Sequence, residues 1–238
     1  MGRGDKESWR RHYDAAGAAL SPAAGGRLAQ NLRGLEAYRL SECVFVSPAP
    51  LLKQVRINAL VDGKSLLMPA PGLHDGFYFF SPYTITFPRL AQAVTPKGMP
   101  RYGRRLTTGQ LAGLQLGLLV SEALAVDRRG NMLGDGNGFF DLAAAILAAT
   151  GALASSVEVV GAGPAADQDV PADPWDVRAD YRLDAAGITS CRADSAAFAW
   201  PIFWEQLPPV RIRRITPLWQ LKEKSSSRRT GGNQVASD

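Results

Sequence analysis

The chain has 238 residues, of which 46% are apolar and 21% charged, and its net charge is +5. That size suits one large α/β domain or two small ones, and no apolar run approaches a membrane span. Met1 to Glu7 carries charges with no hydrophobic stretch behind them, so it does not read as a signal peptide, and a cytoplasmic location is expected. Cys43, Cys191, His12 and His74 are well separated and argue against a zinc site or a serine–histidine triad.

Trp9, Tyr13, Ala16 and Leu20 recur at helical spacing and predict an amphipathic first helix, ended by Pro22 and Gly25-Gly26. Leu28, Leu32, Leu35 and Leu40 predict a second. Cys43–Val46 is a continuous apolar run, which suits a buried strand. Pro48 to Val61 reads as a helix closed by Asp62-Gly63, and Ser65 to Met68 as the next strand, stopped by Pro69. Such alternation with buried strands predicts a parallel sheet. Gly76 to Phe80 is expected to be extended, and Pro82 to Arg105 to be a long irregular excursion. Leu114 to Val126 is the strongest strand candidate. A helix is expected over Phe139 to Ala149, with Gly151 as its stop. Strands over Val157 to Val160 and Ala179 to Leu183 flank a Pro/Asp-rich loop, and Trp204 to Leu207 and Val210 to Leu221 close the chain helically. The expected architecture is one three-layer α/β/α domain with a mostly parallel sheet over residues 1–222, then a flexible basic tail over 223–238. From Arg211 onward the chain carries seven basic and two acidic residues. Linker-like Ser225-Ser226-Ser227 and the lack of an RNA-binding aromatic motif make nucleic acid an unexpected partner.

Between the strongest strand and the helix after it lies Val126-Asp127-Arg128-Arg129-Gly130-Asn131-Met132-Leu133-Gly134-Asp135-Gly136-Asn137-Gly138-Phe139-Phe140-Asp141. Glycines let the main chain approach an anion closely, and the helix offers unpaired N–H groups at the positive end of its dipole. The Gly-x-Gly-x-Gly spacing is neither a Walker loop nor a dinucleotide fingerprint, and a left-handed turn joining strand to helix gives the same glycines. Ligands of parallel sheets sit at the carboxyl ends of strands. This loop lies at one such end and Met68-Pro69-Ala70-Pro71 at another, so both are expected to line one crevice.

Several segments, in order, resemble the 5-formyltetrahydrofolate cyclo-ligase family, in particular its cyclo-ligase-related branch. Gly25 to Gly34 is similar to an early Gly-Arg segment of that branch. Val55-Arg56 and Asp62 to Leu73 are similar to its Arg, Gly-Lys and Met-Pro-x-Pro-x-Leu positions, and Ala125 to Leu142 to its glycine loop and the following Asp-Leu. Trp200 to Leu207, with Leu218 and Leu221, resembles its C-terminal signature. The resemblance implies a fold like that of the sugar-phosphate isomerase and CoA-transferase group. It also implies a reaction in which Mg-ATP and 5-formyltetrahydrofolate give 5,10-methenyltetrahydrofolate, ADP and phosphate. The formyl oxygen takes the γ-phosphoryl group, the neighbouring amine closes the ring, and phosphate leaves.

By the same resemblance, Asp141 would hold Mg²⁺ and act in catalysis with Arg56. Gly134, Asp135, Gly136, Asn137, Gly138 and Arg129 would border the ATP phosphates. Lys64 would lie on the nucleotide side, although it equally suits a turn. Lys6 and Arg10 are candidates for a basic N-terminal ATP contact or for a solvated helix face. Phe139, Phe140, Met68 and Pro69 would border a folate-type substrate. The departures from the family fall in the same places. Met132 and Asp135 stand where basic residues are expected, and Asn137, Ala143 and Glu158 replace other family positions. One aspartate beside a phosphate costs on the order of 4 kcal/mol at 4 Å and an effective dielectric of 20. Arg128 and Arg129 are candidates to compensate or are simply turn residues, and the alternative is an Asp135 that points outward. Two readings follow: a divergent ATP-dependent cyclo-ligase, or a relative that binds a folate, a nucleotide or a protein without turnover.

Overall fold

The computed structural model describes residues 3–15, 20–191 and 200–231. The chain opens with α1 (Arg3–Ala15), α2 (Gly25–Arg33) and α3 (Glu36–Leu40). It continues through β1 (Cys43–Val46), α4 (Lys53–Val61), β2 (Ser65–Pro69), β3 (Phe77–Phe80), α5 (Phe87–Ala93), α6 (Met99–Tyr102), β4 (Arg104–Leu106) and α7 (Thr108–Leu111). Then come β5 (Leu116–Glu122), a small ribbon of β6 (Ala125–Val126) and β7 (Met132–Leu133), α8 (Phe139–Thr150), β8 (Leu153–Ala162), β9 (Tyr181–Leu183), β10 (Ile188–Ser190), α9 (Pro209–Arg214) and α10 (Thr216–Gly231).

The main sheet has the order β10-β9-β8-β5-β1-β2-β3-β4. Its centre, β9-β8-β5-β1-β2, is parallel, with Phe45 opposite Leu119 and Leu119 opposite Val159. The outer strands β10 and β3 run antiparallel to their neighbours. Successive side chains of a strand point to opposite faces, and here each face has its own core. Val44, Val46, Leu66, Met68, Leu118 and Val120 meet α2 and α4 on one side. Cys43, Phe45, Leu67, Leu119 and Val159 meet α7, α8 and α10 on the other. The architecture is therefore α/β/α, as the alternation predicts. No helix among the described residues is long and apolar enough to cross a membrane.

Several elements differ from expectation. Leu35 is extended and divides the predicted second helix into α2 and α3. The stretch from Pro82 to Arg105 contains α5 and α6. Pro88 and Pro100 sit in the first turns of α5 and α6, where a missing N–H forfeits no intrahelical bond. Ile215 is extended and separates α9 from α10. A flexible tail is expected from residue 223, whereas α10 continues to Gly231. Ala16 and residues 232–238 lie outside the described residues.

Candidate functional site

β5 ends at Glu122 and the chain turns through the β6–β7 ribbon into the glycine loop. Asp127 fixes that ribbon. It is 2% exposed, and its carboxylate accepts hydrogen bonds from the main-chain N–H groups of Arg129 (2.8 Å), Asn131 (2.9 Å) and Val170 (2.8 Å) and from Asn131 Nδ2 (2.8 Å). Beyond the ribbon, Gly136 (φ 90°) and Gly138 (φ 63°) adopt left-handed conformations that a side chain would strain. Asp135 closes a local turn, its Oδ1 accepting from Asn137 N at 2.9 Å and its Oδ2 from Asn137 Nδ2 at 2.8 Å. Helix α8 then starts at Gly138, which has no side chain to cap it, and of the first-turn donors the Asp141 N–H meets its own carboxylate. Ile146 and Leu147 anchor it fully buried against the sheet, each contributing about 1.5–3 kcal/mol.

A cavity of about 480 Å³ opens beside this loop. Gly134, Gly136, Asn137 and Gly138 form one wall, and Asp141, Leu142 and Ala145 on one stripe of α8 form the floor. Lys6 and Arg10 of α1 also line it, as do Pro201, Ile202, Phe203 and Leu207 from the C-terminal part of the chain. Arg10 Nε donates to Gly134 O at 2.9 Å, and a Cβ at Gly136 would stand 3.1 Å from the Arg10 guanidinium. Lys6 is buried, and its ammonium is paired with Asp173 (2.5 Å) and Asp176. Asp141 Oδ1 accepts the Val177 N–H at 2.9 Å. Burial pushes the Asp141 carboxyl up to about 6, the Val177 bond opposes this, Asp176 adds to it and Lys6 counters it. Trp175 and Phe203 meet edge to face at 5.9 Å and give the cavity an aromatic side.

The structure thus brings Lys6, Arg10, Gly134, Gly136, Asn137, Gly138 and Asp141 together around one cavity. Asp135 belongs to the loop but does not line the cavity. Its charge instead reaches Glu122, whose carboxyl is raised first by burial, then by Asp135, with Arg56 opposing.

Other expected site residues lie elsewhere. Arg56 is 1% exposed, and its guanidinium donates to Val94 O (2.9 Å), Ser47 O (2.6 Å) and Ala49 O (2.9 Å), tying main-chain segments together; it is not a lining residue of the cavity. Lys64 precedes β2, at the amino end of the parallel strands, where its ammonium donates to Ser41 O at 2.7 Å and lies 4.8 Å from the Tyr38 ring centroid. Arg129 pairs with Asp169 at 3.2 Å, on the outer side of the ribbon. Met68 and Pro69 are buried at the end of β2 and are not among the residues that line this cavity. The turn after them packs against α8, where the Phe139 Cζ would lie 3.6 Å from a Cβ at Gly72. Phe140 packs inward on Phe45 at 6.0 Å. Glu158 sits in a separate groove at the opposite end of the sheet, near Tyr181.

Asp173, Asp176, Trp175 and Arg211 line the cavity although their sequence neighbourhoods read as loop and basic tail. The only signal for the aspartates was the acidic bias of that loop. For Arg211 there was none, because its place depends on how α9 docks.

A model of the 5-formyltetrahydrofolate cyclo-ligase family matches residues 11–183. The methenyltetrahydrofolate synthase domain-containing protein of Bos taurus is 28% identical over 198 residues, covering 79% of this chain and 52% of that protein. Its Danio rerio counterpart is 27% identical over 196 residues, covering 79% and 50%. The chain thus spans about half the length of the curated relatives it matches. Among solved structures, eIF2B beta from Chaetomium thermophilum is similar with a TM-score of 0.36 and 12% identity over 70% of this chain and 52% of that chain. With a match across most of its length, the chain belongs to the 5-formyltetrahydrofolate cyclo-ligase family.

Proposed function

We propose that the protein is an ATP-dependent ligase that closes 5-formyltetrahydrofolate to 5,10-methenyltetrahydrofolate, releasing ADP and phosphate, in the cytoplasm. The observation that carries this reading is the meeting of the glycine loop, the uncapped start of α8, Arg10 and Asp141 in one cavity. Phosphoryl transfer is mostly positioning and charge neutralisation. Main-chain donors of the loop and of the first turn of α8 suit phosphate oxygens. Nothing lies within 4 Å of where a Cβ at Gly134 would project, so the main chain is open to a ligand there. Arg10 supplies positive charge, whereas the Lys6 ammonium is already paired with Asp173 and Asp176. The repulsion expected from Asp135 is relieved because its carboxylate is engaged with Asn137 outside the cavity.

Mg²⁺ fits this site as an ion that arrives with the nucleotide. Among the described residues there is no group of three or more His, Cys, Asp or Glu arranged to hold a metal. Magnesium in phosphoryl-transfer sites is commonly held by one or two carboxylates and the substrate phosphates, and Asp141 would be such a carboxylate. Bound there, Mg²⁺ would neutralise developing charge on the phosphoryl group. The aromatic side formed by Trp175 and Phe203 suits a planar ring of either substrate.

A second reading, binding without turnover, is favoured by Met132, which brings an apolar side chain to the cavity where the family resemblance calls for a basic one. One experiment separates the two. Purified protein is given (6S)-5-formyltetrahydrofolate with and without Mg-ATP, and methenyltetrahydrofolate is followed by its absorbance. ATP-dependent product, lost in Asp141→Ala, is expected. No product from folded protein at high concentration would overturn the ligase reading in favour of the binding one.

A further inference from the structure

We infer that the β4 edge of the sheet, with α5 and α6 beside it, is a docking surface for single-stranded nucleic acid. The 46 residues between Asp75 and Glu122 contain no aspartate or glutamate and five basic residues. Of the five, Arg105 has its charge met, by Asp75 at 3.3 Å. Arg89 on α5, Lys97 between the two helices, Arg101 on α6 and Arg104 on β4 are all exposed. Among the described residues none of these four forms an ion pair. The fold gathers them at one end of the sheet. Helix α6 packs on α5, β3 and β4, and the Tyr102 hydroxyl donates to Gln92 Oε1 at 3.3 Å, tying α6 to α5. β4 is the outermost strand and is hydrogen-bonded to β3 alone. The surface shares no residue with the cavity, so it stands independently of the ligase reading, and it lies apart in sequence from the basic tail.

Four cations without carboxylate partners on one surface create a positive potential that a polyanion relieves. The aromatic residues decide which polyanion. Tyr83, in the loop that leads from β3 to α5, is 80% exposed, and Phe87, at the start of α5, is 74% exposed. Tyr83 is also held at φ 61°, a left-handed backbone that a bulky residue rarely adopts, so the chain carries strain at a residue whose ring faces water. Such rings can stack on bases, and every base has a π-face. Arg101 and Arg104 are already set over rings, 5.4 Å from the Tyr102 centroid and 5.6 Å from the Phe79 centroid. Neither guanidinium donates a hydrogen bond among the described residues, so their planar forks stay available to phosphate oxygens. Charges on an edge strand also keep a second strand from pairing. That need is met by Arg104 and Arg105 and does not account for Arg89, Lys97 and Arg101 on the flanking elements, nor for two exposed rings beside them. A membrane surface calls for a broad apolar face beneath the cations, whereas the exposed large hydrophobic residues of this stretch are Tyr83 and Phe87 alone.

The test is fluorescence anisotropy of a labelled oligo(U) RNA of about 20 nucleotides, titrated with the full chain at several salt concentrations. Wild type is expected to bind at micromolar concentration and to lose about 50-fold in affinity between 50 and 200 mM salt, the slope for roughly four phosphate contacts to a single strand. Arg89→Gln, Lys97→Gln, Arg101→Gln and Arg104→Gln combined should weaken binding at least about 30-fold and flatten the salt dependence. All four side chains are exposed, so this variant should keep the wild-type thermal midpoint. Tyr83→Ala with Phe87→Ala should weaken RNA binding about tenfold and leave inorganic polyphosphate binding within about twofold. No anisotropy change with wild type at about 100 μM and low salt would overturn the inference. Unchanged affinity in the fourfold variant, with the loss found instead in Arg228→Gln with Arg229→Gln, would overturn it in favour of the tail. RNA binding unaltered by loss of both rings would reduce the surface to a patch for any anion. Tighter binding to phosphatidylserine vesicles than to RNA would overturn it in favour of a membrane surface.

Discussion

The carboxylate of Asp135 accepts hydrogen bonds from both the main-chain N–H and the side-chain Nδ2 of Asn137, at 2.9 and 2.8 Å. The pair converts what sequence alone presents as a charge against the phosphates into a device that shapes the loop. Asp135→Asn keeps an acceptor for the Asn137 N–H and removes the charge. Exposed charges contribute about 1 kcal/mol or less. The variant is therefore expected to bind ATP within about fivefold of wild type by calorimetry. A tightening of tenfold or more would mean that the carboxylate faces the triphosphate.

Gly134 and Gly136 differ in what they tolerate. A methyl group at Gly134 meets nothing within 4 Å, whereas at Gly136 it meets the Arg10 guanidinium and requires a residue at φ 90°. Left-handed backbone costs an L residue about 1–2 kcal/mol. Gly136→Ala is expected to lower the urea midpoint accordingly and to weaken ATP binding about tenfold by displacing Arg10. Gly134→Ala should stay within about 0.5 kcal/mol of wild type in stability. Equal effects from both variants would contradict the arrangement of Arg10 over the loop.

Asp141 predicts opposite pH trends for stability and turnover. Its carboxyl is raised from 3.8 to about 6, so the folded state binds the proton more tightly than the unfolded state. Its contribution to stability is therefore largest below pH 3.8 and is lost as pH rises through about 6. Asp141→Asn should accordingly stabilise the protein at pH 7–8, by at most about 3 kcal/mol, and the gain should vanish near pH 3.5 in paired thermal melts. Turnover needs the carboxylate and should rise through pH 6. Because Lys6 lowers this pKa, Lys6→Met should move that rise to higher pH. A turnover profile flat from pH 5 to 8 would count against a catalytic role for Asp141.

Arg56 is expected to behave as a stability residue. Its guanidinium satisfies the carbonyls of Ser47, Ala49 and Val94, and burial lowers its pKa to about 10 with Glu122 opposing. Arg56→Ala leaves buried acceptors unpaired and should cost about 3–5 kcal/mol in denaturant unfolding. At a temperature where the variant is folded, its ATP affinity should match wild type. A stable Arg56→Ala protein that has lost ATP binding would restore Arg56 to the site.

The sheet was legible because a strand repeats every two residues and buries both faces. Cys43–Val46 announces itself as a continuous apolar run and Ser65 to Met68 as a short strand before Pro69, and the glycines that open α8 are visible as letters. The helices α5 and α6 were hidden by Pro88 and Pro100, because the letter alone does not say whether a proline breaks a helix or begins one. The site was legible only where it is local. Asp141 and the loop glycines are three to seven residues apart, so backbone geometry alone sets their neighbourhood.

By itself the sequence determined the α/β alternation, the family and the local turn that presents Gly134 to Asp141. Only the tertiary structure decided which charges face the cavity. Arg56, Lys64 and Arg129 are basic residues of the same kind as Arg10 and Arg211. The first two end against carbonyl groups and the third against Asp169, while Arg10 and Arg211 end at the loop. The reason is physical. A charged side chain takes its role from the partners that packing brings within a few ångströms, and for Arg10 and Arg211 those partners lie 124 and 74 residues away along the chain.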